Sequence, residues 1–339
     1  MNCTIIGLDL AKRVFQLHWL EIETGEICRL QIKRQKVAEF FTNRKPCIVA
    51  MEACGSAHFW GRKFLSQGHE VRLIAAQFVR PFVKSNKTDM ADAQAIWEAA
   101  QRPGMKFVAL KTEEQQSVLT LHRMREQLIK MRTMQINQLR GLLYEFGADL
   151  PQGRIKGMAK VVEELGQLES RLSAMVIDAI RQQVRRIEGL NQDIAEIENK
   201  LLLWKKEDEA SQKLMNIPGV GLLTATAAVA TMGDAKTFKS GREFAAFLGL
   251  VPRQSGTGGR VKLLGISKRG DVYLRTLLIH GARSVIQHQK KKAPWLEKLL
   301  LRRPHNVAAI ALANKIARII WVLLAHDRTF EKEYAASAV

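Results

Sequence analysis

Cysteine is scarce in this sequence of 339 residues, and its spacing excludes two classes of site. The chain has four cysteines and no CxxC pair: Cys3, Cys28, Cys47 and Cys54. This pattern indicates neither a disulfide framework nor a zinc site. We interpret the four as reduced core residues of an intracellular protein.

Long apolar runs are also missing. No uncharged stretch approaches the roughly 18 apolar residues of a spanning helix, so we expect no membrane protein. Asp9 and Lys12 interrupt the first apolar run, and we therefore expect no signal peptide. Hydrophobic residues make up 47% of the chain, which is typical of a globular protein of this length with two or three domains.

Acidic residues are few relative to basic ones. The chain has 53 Lys and Arg against 33 Asp and Glu, a net charge of +20. Residues 236–303 alone contain 16 Lys or Arg and three acids, a net +13. A solvated surface normally mixes both signs, so this excess indicates contact with a polyanion, and we expect nucleic acid.

Three regions differ in their pattern of apolar residues. Residues 1–108 show three short strand-like runs, followed by strands that alternate with helices, and a helix at 89–100. This order predicts an α/β domain with a mixed sheet. Residues 109–209 show apolar residues spaced three and four apart, which predicts two long helices broken at 147–157. An antiparallel hairpin of helices and an intermolecular coiled coil fit this spacing equally well. Residues 210–339 are predicted to be mostly helical, with glycine-rich interruptions.

Four carboxylates in the first region are candidates for chemistry. Asp9 and Glu52 each end an apolar strand, where ligand sites gather at a sheet edge. Asp89 and Asp92 are three residues apart and share one helical face. A divalent cation would offset their repulsion, and hard oxygen ligands suit Mg²⁺, or Mn²⁺. Each acid also has a structural alternative: Asp9 as the cap of a turn, and Asp89 as a helix N-cap with Asp92 in the first turn.

Two glycine-rich segments follow in the third region. Residues 217–221, IPGVG, resemble the turn of a helix-hairpin-helix module, whose backbone N–H groups bind phosphate, although such a turn also simply joins two helices. In residues 249–260, GLVPRQSGTGGR, Ser255 and Thr257 lie among cations. A serine there is either a turn residue or a nucleophile. The candidate phosphate-binding cations are Arg253, Arg260, Lys262, Lys268 and Arg269.

The ordered motifs resemble a known family. GLDLAK, MEACGSAHFW, NKTDMADAQA, NIPGVG, FAAFLGLVPRQSGTGG and GISKRGDVYLR follow one another as in the DEDD-type transposases of the IS110 and IS1111 insertion sequences. The resemblance covers nearly the whole chain, and the middle helices match only in pattern.

This resemblance implies a RuvC-like (ribonuclease-H-like) α/β domain at 1–108, a coiled coil at 109–209 and a mostly α C-terminal transposase domain at 210–339. It implies that Asp9, Glu52, Asp89 and Asp92 form a catalytic tetrad that binds Mg²⁺. It also implies a catalytic serine that forms a covalent link to DNA. We assign Ser255, with Thr257 as the competing position.

The resemblance further implies the partners. They are donor and target DNA, a bridge RNA that guides the recombinase, and further copies of the chain in a dimer or tetramer whose subunits share a composite active site. The expected location is the bacterial cytoplasm, at the nucleoid during the reaction. Two other functions remain open: a metal-dependent junction nuclease without a covalent intermediate, and a non-catalytic scaffold that binds nucleic acid.

Overall fold

The computed structural model describes residues 4–83, 88–151 and 153–331, without the side chain of Val162. The chain divides into two compact units. The first comprises Met1–Gln115 with Met232–Thr237, and the second comprises Gln116–Thr231 with Phe238–Val339. The boundaries predicted from the sequence, 1–108, 109–209 and 210–339, stay a prediction.

The first unit is built on a mixed six-stranded sheet. Its strands are β1 (Ile5–Asp9), β2 (Val14–Leu20), β3 (Ile27–Lys33), β4 (Ile48–Glu52), β5 (Glu70–Ile74) and β6 (Phe107–Val108). They lie in the order β3-β2-β1-β4-β5-β6. β1, β4 and β5 are parallel, whereas the other neighbouring pairs are antiparallel. The predicted mixed sheet is confirmed, and its order is consistent with a RuvC-like domain. β6 was not predicted, because two residues give no periodic signal.

Four α-helices accompany the sheet: α1 (Val37–Thr42), α2 (Ala57–Ser66), α3 (Ala76–Val79) and α4 (Asp89–Ala100). Successive side chains of a strand point to opposite faces, so each buried strand contributes to two cores. Ile6 and Leu8 of β1 join the core formed with α1 and α2. Ala50 of β4 joins the opposite core, formed with α4. The sheet is therefore covered on both faces.

Three long helices follow, and the first of them enters the second unit at residue 116. They are α5 (Glu113–Glu145), α6 (Arg154–Leu168) and α7 (Ala174–Glu207). The prediction of two helices with one break was wrong, because a second break lies at residues 169–173. The apolar spacing continues through that break at Leu168 and Leu172, so periodicity alone did not reveal it. Ser170 lies within this break and Ser173 is the N-cap of α7, and serine favours helix ends over helix interiors.

α5 and α7 run antiparallel within one chain. Arg125 Nη2 lies 2.6 Å from Glu198 Oε1, and Arg132 Nη1 donates to Asn191 Oδ1 over 3.0 Å. Leu139, Leu143 and Ile187 pack in a shared core at one end of the pair. The chain thus forms the antiparallel hairpin, and a coiled coil between copies stays a prediction.

The rest of the second unit is helical except for one hairpin. The helices are α8 (Glu209–Leu214), α9 (Leu222–Met232), α10 (Gly241–Phe247), α11 (Val272–His288), α12 (Pro294–Arg302) and α13 (His305–Ala325). The hairpin strands are β7 (Pro252–Thr257) and β8 (Arg260–Ile266). The predicted glycine-rich loop is therefore a β-hairpin. Gly258 and Gly259 have φ of 54° and 80° at its tip, which is the backbone that a tight two-residue turn requires.

Two expectations about burial change with the structure. Of the three cysteines described, only Cys47 is buried, whereas Cys28 is partly exposed and Cys54 exposed; Cys3 lies outside the described residues. The prediction of four core cysteines was therefore wrong.

One helix in the described ranges, α13, is long and apolar enough to cross a membrane, with 39% of its apolar window buried. It contains Lys315 and Arg318, and its buried residues pack as those of a core helix do.

Candidate catalytic and nucleic-acid-binding sites

The parallel pairing of β1 and β4 places Asp9 and Glu52 at the same edge of the sheet. Leu8 pairs with Met51, and the next residue of each strand is the acid. Leu8 and Met51 both face the core with α1 and α2, so Asp9 and Glu52 face the side on which α4 lies. The alternation of the strands therefore directs both carboxylates toward one helix.

The first turn of α4 supplies the other two acids. The N-cap is Thr88, whose side chain accepts a hydrogen bond from the Ala91 N–H, so Asp89 is not the cap. Asp89 and Asp92 occupy the first turn, where the positive end of the helix dipole favours negative charge. Asn86 and Lys87 of the NKTDMADAQA motif lie outside the described residues.

Three of the four acids come together. Carboxylate oxygens of Asp9, Asp89 and Asp92 all lie within 4.8 Å of one another, and Asp89 is the most exposed of the three. Glu52 is beside Asp9 in register but is not a member of that group. The structure thus brings the strand and helix motifs to one point, although they are 80 residues apart in the chain.

Gly7 is a functional position that the sequence analysis missed. A Cβ on Gly7 would overlap the Ala93 carbonyl oxygen and lie 2.7 Å from Trp97 Cβ, both on α4. The missing side chain lets α4 lie directly on β1, which sets the distance between Asp9 and Asp92. The available signal was the glycine inside an apolar strand, which often marks a close backbone approach.

The chemistry of the donor set fits a hard divalent cation. Mg²⁺ binds oxygen at about 2.1 Å, so oxygens around one ion are at most about 4.2 Å apart, close to the spread of the three carboxylates. Cys54 is exposed as a residue, but its sulfur is partly desolvated, and this desolvation together with the charges of Glu52 and Asp9 raises the pKa of Cys54. The charges of Glu52 and Asp9 therefore influence the thiol, which lies in the turn after β4.

Ser255 lies on the exposed hairpin of the second unit. It pairs with Lys262, and Thr257 pairs with Arg260. Residues that pair directly and residues two apart share a face, so the two hydroxyls and two cations form one face of the hairpin. All four residues are exposed. The opposite face presents Val261 and Leu263, which are 66% and 63% exposed.

The base of the hairpin is fixed by a buried cation. Arg275 of α11 is 7% exposed, and its Nη1 donates to the carbonyl oxygens of Leu248 and Arg269, each over 2.8 Å. These carbonyls belong to the segments that enter and leave the hairpin. Gly249, with φ of 69°, lies directly against Arg269, where a Cβ would overlap the backbone. The hairpin thus extends from a base held by these hydrogen bonds, and Arg275 gave no signal in the sequence beyond its charge.

The other candidate cations surround this base. Arg253 lies on β7, and Lys268 and Arg269 follow β8; all three are exposed. Lys268 has a positive φ of 55°, a conformation uncommon for a residue with a side chain. The five predicted cations therefore lie on the hairpin or at its base, on the surface.

The IPGVG segment joins α8 to α9. Gly219 has φ of 86°, and a Cβ there would lie 2.8 Å from the Gly281 carbonyl oxygen of α11. This contact gives the glycine a packing role in the fold. Phosphate binding by the turn stays a prediction.

Comparison with known proteins places these sites in a family. A family model described as Transposase IS116/IS110/IS902 family matches residues 211–296, and a transposase model of the IS110 DEDD type matches residues 6–147. A probable family 20 transposase of Pseudomonas aeruginosa is 48% identical over 335 residues, which cover 97% of this chain and 99% of the relative. The chain belongs to the IS110 family of insertion-sequence transposases.

Two further relatives also align over more than nine-tenths of both chains. The transposase for insertion sequence element IS1328 of Yersinia enterocolitica is 43% identical and covers 98% of this chain and 99% of its own length. The transposase for insertion sequence element IS1111A of Coxiella burnetii is also 43% identical, with 96% and 91% covered. Membership implies an enzyme that cleaves and recombines DNA, and a DEDD-type domain indicates dependence on a divalent metal. The family predicted from the motifs is confirmed.

Proposed function

We propose that this transposase cuts and rejoins donor and target DNA with two chemical groups, a Mg²⁺-binding DEDD tetrad and a serine nucleophile. The observation that supports the tetrad is the convergence of Asp9, Asp89 and Asp92 within 4.8 Å at one sheet edge. Glu52 is the fourth member, placed beside Asp9 by strand register. When bound, Mg²⁺, or Mn²⁺, neutralises the carboxylates and polarises the oxygens of a DNA phosphate.

Ser255 is the proposed nucleophile. Its Oγ attacks a DNA phosphorus, the serine loses its proton, and the bond from phosphorus to the leaving DNA oxygen breaks as that oxygen gains a proton. A phosphoserine link conserves the phosphodiester energy, and a hydroxyl end of the other DNA then displaces the serine. Lys262 and Arg260 on the same hairpin face stabilise the negative charge that develops on the phosphate. The hairpin leaves room for a DNA backbone, because all six residues of β7 are exposed.

Several partners belong to the same proposal. A bridge RNA would select the sequence by base pairing, so that the protein contacts mainly backbone and shape. Oligomers of the chain, dimers or tetramers, would supply the tetrad and Ser255 from different subunits of a composite site. The setting is the bacterial cytoplasm, with the protein at the nucleoid when it acts.

The test is an adduct assay with donor DNA, target DNA, the flanking transcript and Mg²⁺. We expect a protein–DNA adduct in the wild type, loss of the adduct in Ser255→Ala with DNA and RNA binding intact, and a milder effect in Thr257→Ala. Asp9→Ala and Asp92→Ala should abolish cleavage and leave the fold intact.

The outcomes separate the alternatives. An adduct that persists in Ser255→Ala and is lost in Thr257→Ala moves the nucleophile to Thr257. Recombination by the wild type without any adduct contradicts the serine mechanism and favours a metal-dependent nuclease that activates water. Full activity in Asp92→Ala contradicts the metal site.

A further inference from the structure

A cavity of ≈ 590 Å³ lies in the second unit, and its lining residues do not include the serine hairpin. Its walls are the start of α10, one face of α13 and the segment that follows α13. Its lining residues include Arg242, Lys315, Arg318, Val322, Arg328 and Phe330. We call this cavity the α10–α13 pocket.

A close approach of two helices builds the pocket. Gly241 is buried, and a Cβ there would lie 2.9 Å from the Arg318 carbonyl oxygen and 3.0 Å from its Cα. The glycine therefore lets the start of α10 pack on the backbone of α13. Lys315, Arg318 and Val322 follow a spacing of three and four residues, so they share the face of α13 that lines the pocket.

Positive charge converges on this apolar cavity. Four lining residues are cations, Arg242, Lys315, Arg318 and Arg328, and the lining residues include one acid, Glu331. Lys315 Nζ lies 4.8 Å from the centroid of the Trp295 ring. Within the described ranges, none of the four cations forms an ion pair with a carboxylate. Burial and the charge of Arg318 lower the pKa of Lys315, which an anion in the pocket would reverse.

The apolar and cationic side chains that line the pocket indicate the chemistry of its ligand. Val322, Phe330 and their apolar neighbours suit a flat ring, and the cations suit a phosphate. A pocket of this size is within the range that holds a small ligand, roughly 300 to 1,000 Å³. A base within a duplex is stacked and out of reach, whereas an unpaired base can enter such a site.

We infer that the α10–α13 pocket binds one unpaired nucleotide of the nucleic acid on which the transposase acts, with the base on the apolar wall and the phosphate against Arg318 and its neighbouring cations. The inference rests on the proposed function only in its choice of partner. The same nucleotide chemistry is offered by single-stranded DNA and by an RNA loop.

The experiment measures binding of the full-length protein to 12-nucleotide single strands, in a DNA arm and an RNA arm. Arg318→Ala removes the central cation, and Val322→Trp fills the cavity without changing charge. Thr329→Trp, on the exposed segment of the lining, fills it from the other side and serves if Val322→Trp fails to fold. The matched controls are Arg302→Ala, an exposed cation on α12, and Val307→Trp, a 47% exposed valine on α13 outside the pocket.

We expect each pocket variant to raise Kd about tenfold in at least one arm, since one stacked base contributes ~1–3 kcal/mol. The controls should stay within about twofold of the wild type. A strand that carries a 4-thio base should cross-link to the peptide that contains Phe330. This cross-link should be lost when the neighbouring position is abasic, because that strand lacks the base that enters the pocket. Loss in the RNA arm alone identifies a guide nucleotide, and loss in the DNA arm alone identifies a strand of the substrate.

Pocket variants that bind like their controls in both arms would overturn the inference, as would cross-links that map only outside the pocket. The assay needs no strand cleavage, so Ser255→Ala protein should give the same pocket binding as the wild type. Failure of the proposed serine chemistry would therefore leave this result unchanged. A wild type that recombines DNA but forms no cross-link to the pocket would contradict the pocket inference alone.

Discussion

At the scale of single residues, the most unusual feature is the group of Asp9, Asp89 and Asp92. Three carboxylates within 4.8 Å repel one another, by about 1 kcal/mol for each pair in water-like surroundings. The fold places them together through the packing of α4 on β1, where Gly7 permits contact. A bound cation would offset this repulsion.

We predict that Asp92→Asn abolishes stabilisation of the protein by Mg²⁺. In the wild type, Mg²⁺ at 100 times its Kd should add about 2.7 kcal/mol to the free energy of unfolding. In EDTA the variant should be as stable as the wild type or more stable, because one repulsive charge is gone. Thermal unfolding with Mg²⁺ and with EDTA measures both effects.

The control for this measurement is Asp149→Asn, which changes an exposed acid of the second unit. It should keep the full response to Mg²⁺. A Mg²⁺-dependent rise in Tm that survives in Asp92→Asn would contradict the assignment of this residue as a ligand.

At the scale of helices, one buried chain of hydrogen bonds connects α5, α9 and α11. His122 is 1% exposed, with Nδ1 2.9 Å from the Tyr273 hydroxyl and Nε2 3.0 Å from Thr226 Oγ1. Thr226 Oγ1 donates to the Leu222 carbonyl over 2.8 Å, so it accepts from His122 Nε2–H, and Tyr273 donates to Nδ1. The network requires a neutral imidazole. Burial and the charge of Arg125 lower the pKa of His122 to about 4.

We predict that His122 makes the transposase less stable in mild acid. The unfolded chain binds a proton near pH 6.5 and the folded chain only near pH 4, so the free energy of unfolding falls as pH drops through this window. The loss should reach about 3 kcal/mol, with none above pH 6.5 and no further loss below pH 4. Urea unfolding between pH 4 and 7.5 measures it.

The comparison variant is His122→Gln, which has no titrating group at this position. It should be less stable than the wild type at pH 7.5, and the difference should shrink toward pH 4. His288→Gln, at an exposed site, should keep the pH dependence of the wild type. Parallel curves for wild type and His122→Gln would refute the proposed role of this histidine.

At the scale of the whole molecule, the net charge of +20 favours the association of the transposase with nucleic acid. Part of the basic stretch 236–303 lies in α10 and α11, whose buried residues belong to the fold. Removing that stretch would therefore unfold the second unit. Lys290 and Lys291 are exposed and follow α11. Their substitution tests the charge of the stretch 236–303 without unfolding the second unit.

We predict that replacing Lys290 and Lys291 by Ala weakens DNA binding and lowers its dependence on salt. Each lost phosphate contact should reduce the slope of log K against log salt by roughly 0.9 on B-DNA. Titrations at several salt concentrations measure the slope. The matched control is Lys45→Ala with Lys63→Ala, two exposed lysines of the first unit. Equal slopes for both double variants would contradict a special role for the basic stretch.

The long helices leave apolar side chains on the surface of α5. Met131 and Met134 are 44% and 69% exposed, although much of the apolar stripe is buried between α5 and α7. We predict that these residues contact a second copy and that the wild type scatters light as a dimer or tetramer. The double variant Met131→Glu, Met134→Glu should shift the mass toward the monomer. A wild type that is monomeric while it recombines DNA would contradict both the contact and the composite site.

The sequence by itself determined most elements of the first unit and the helix at 89–100. Strand periodicity and the Asp-containing helix start are local patterns, because they depend on neighbouring residues and on turn and cap preferences. The four acids and the serine segment were also predicted from the sequence, through motifs that keep their order. The charge excess followed from composition alone.

Only the tertiary structure decided which of these groups meet. The pairing of β1 with β4, the contact of Gly7 with α4 and the contact of Gly241 with α13 join segments tens of residues apart. Apolar spacing likewise could not distinguish a continuing helix from the break at residues 169–173, since both keep the same period. Local patterns specify which residues a segment buries, and packing between distant segments specifies what they are buried against.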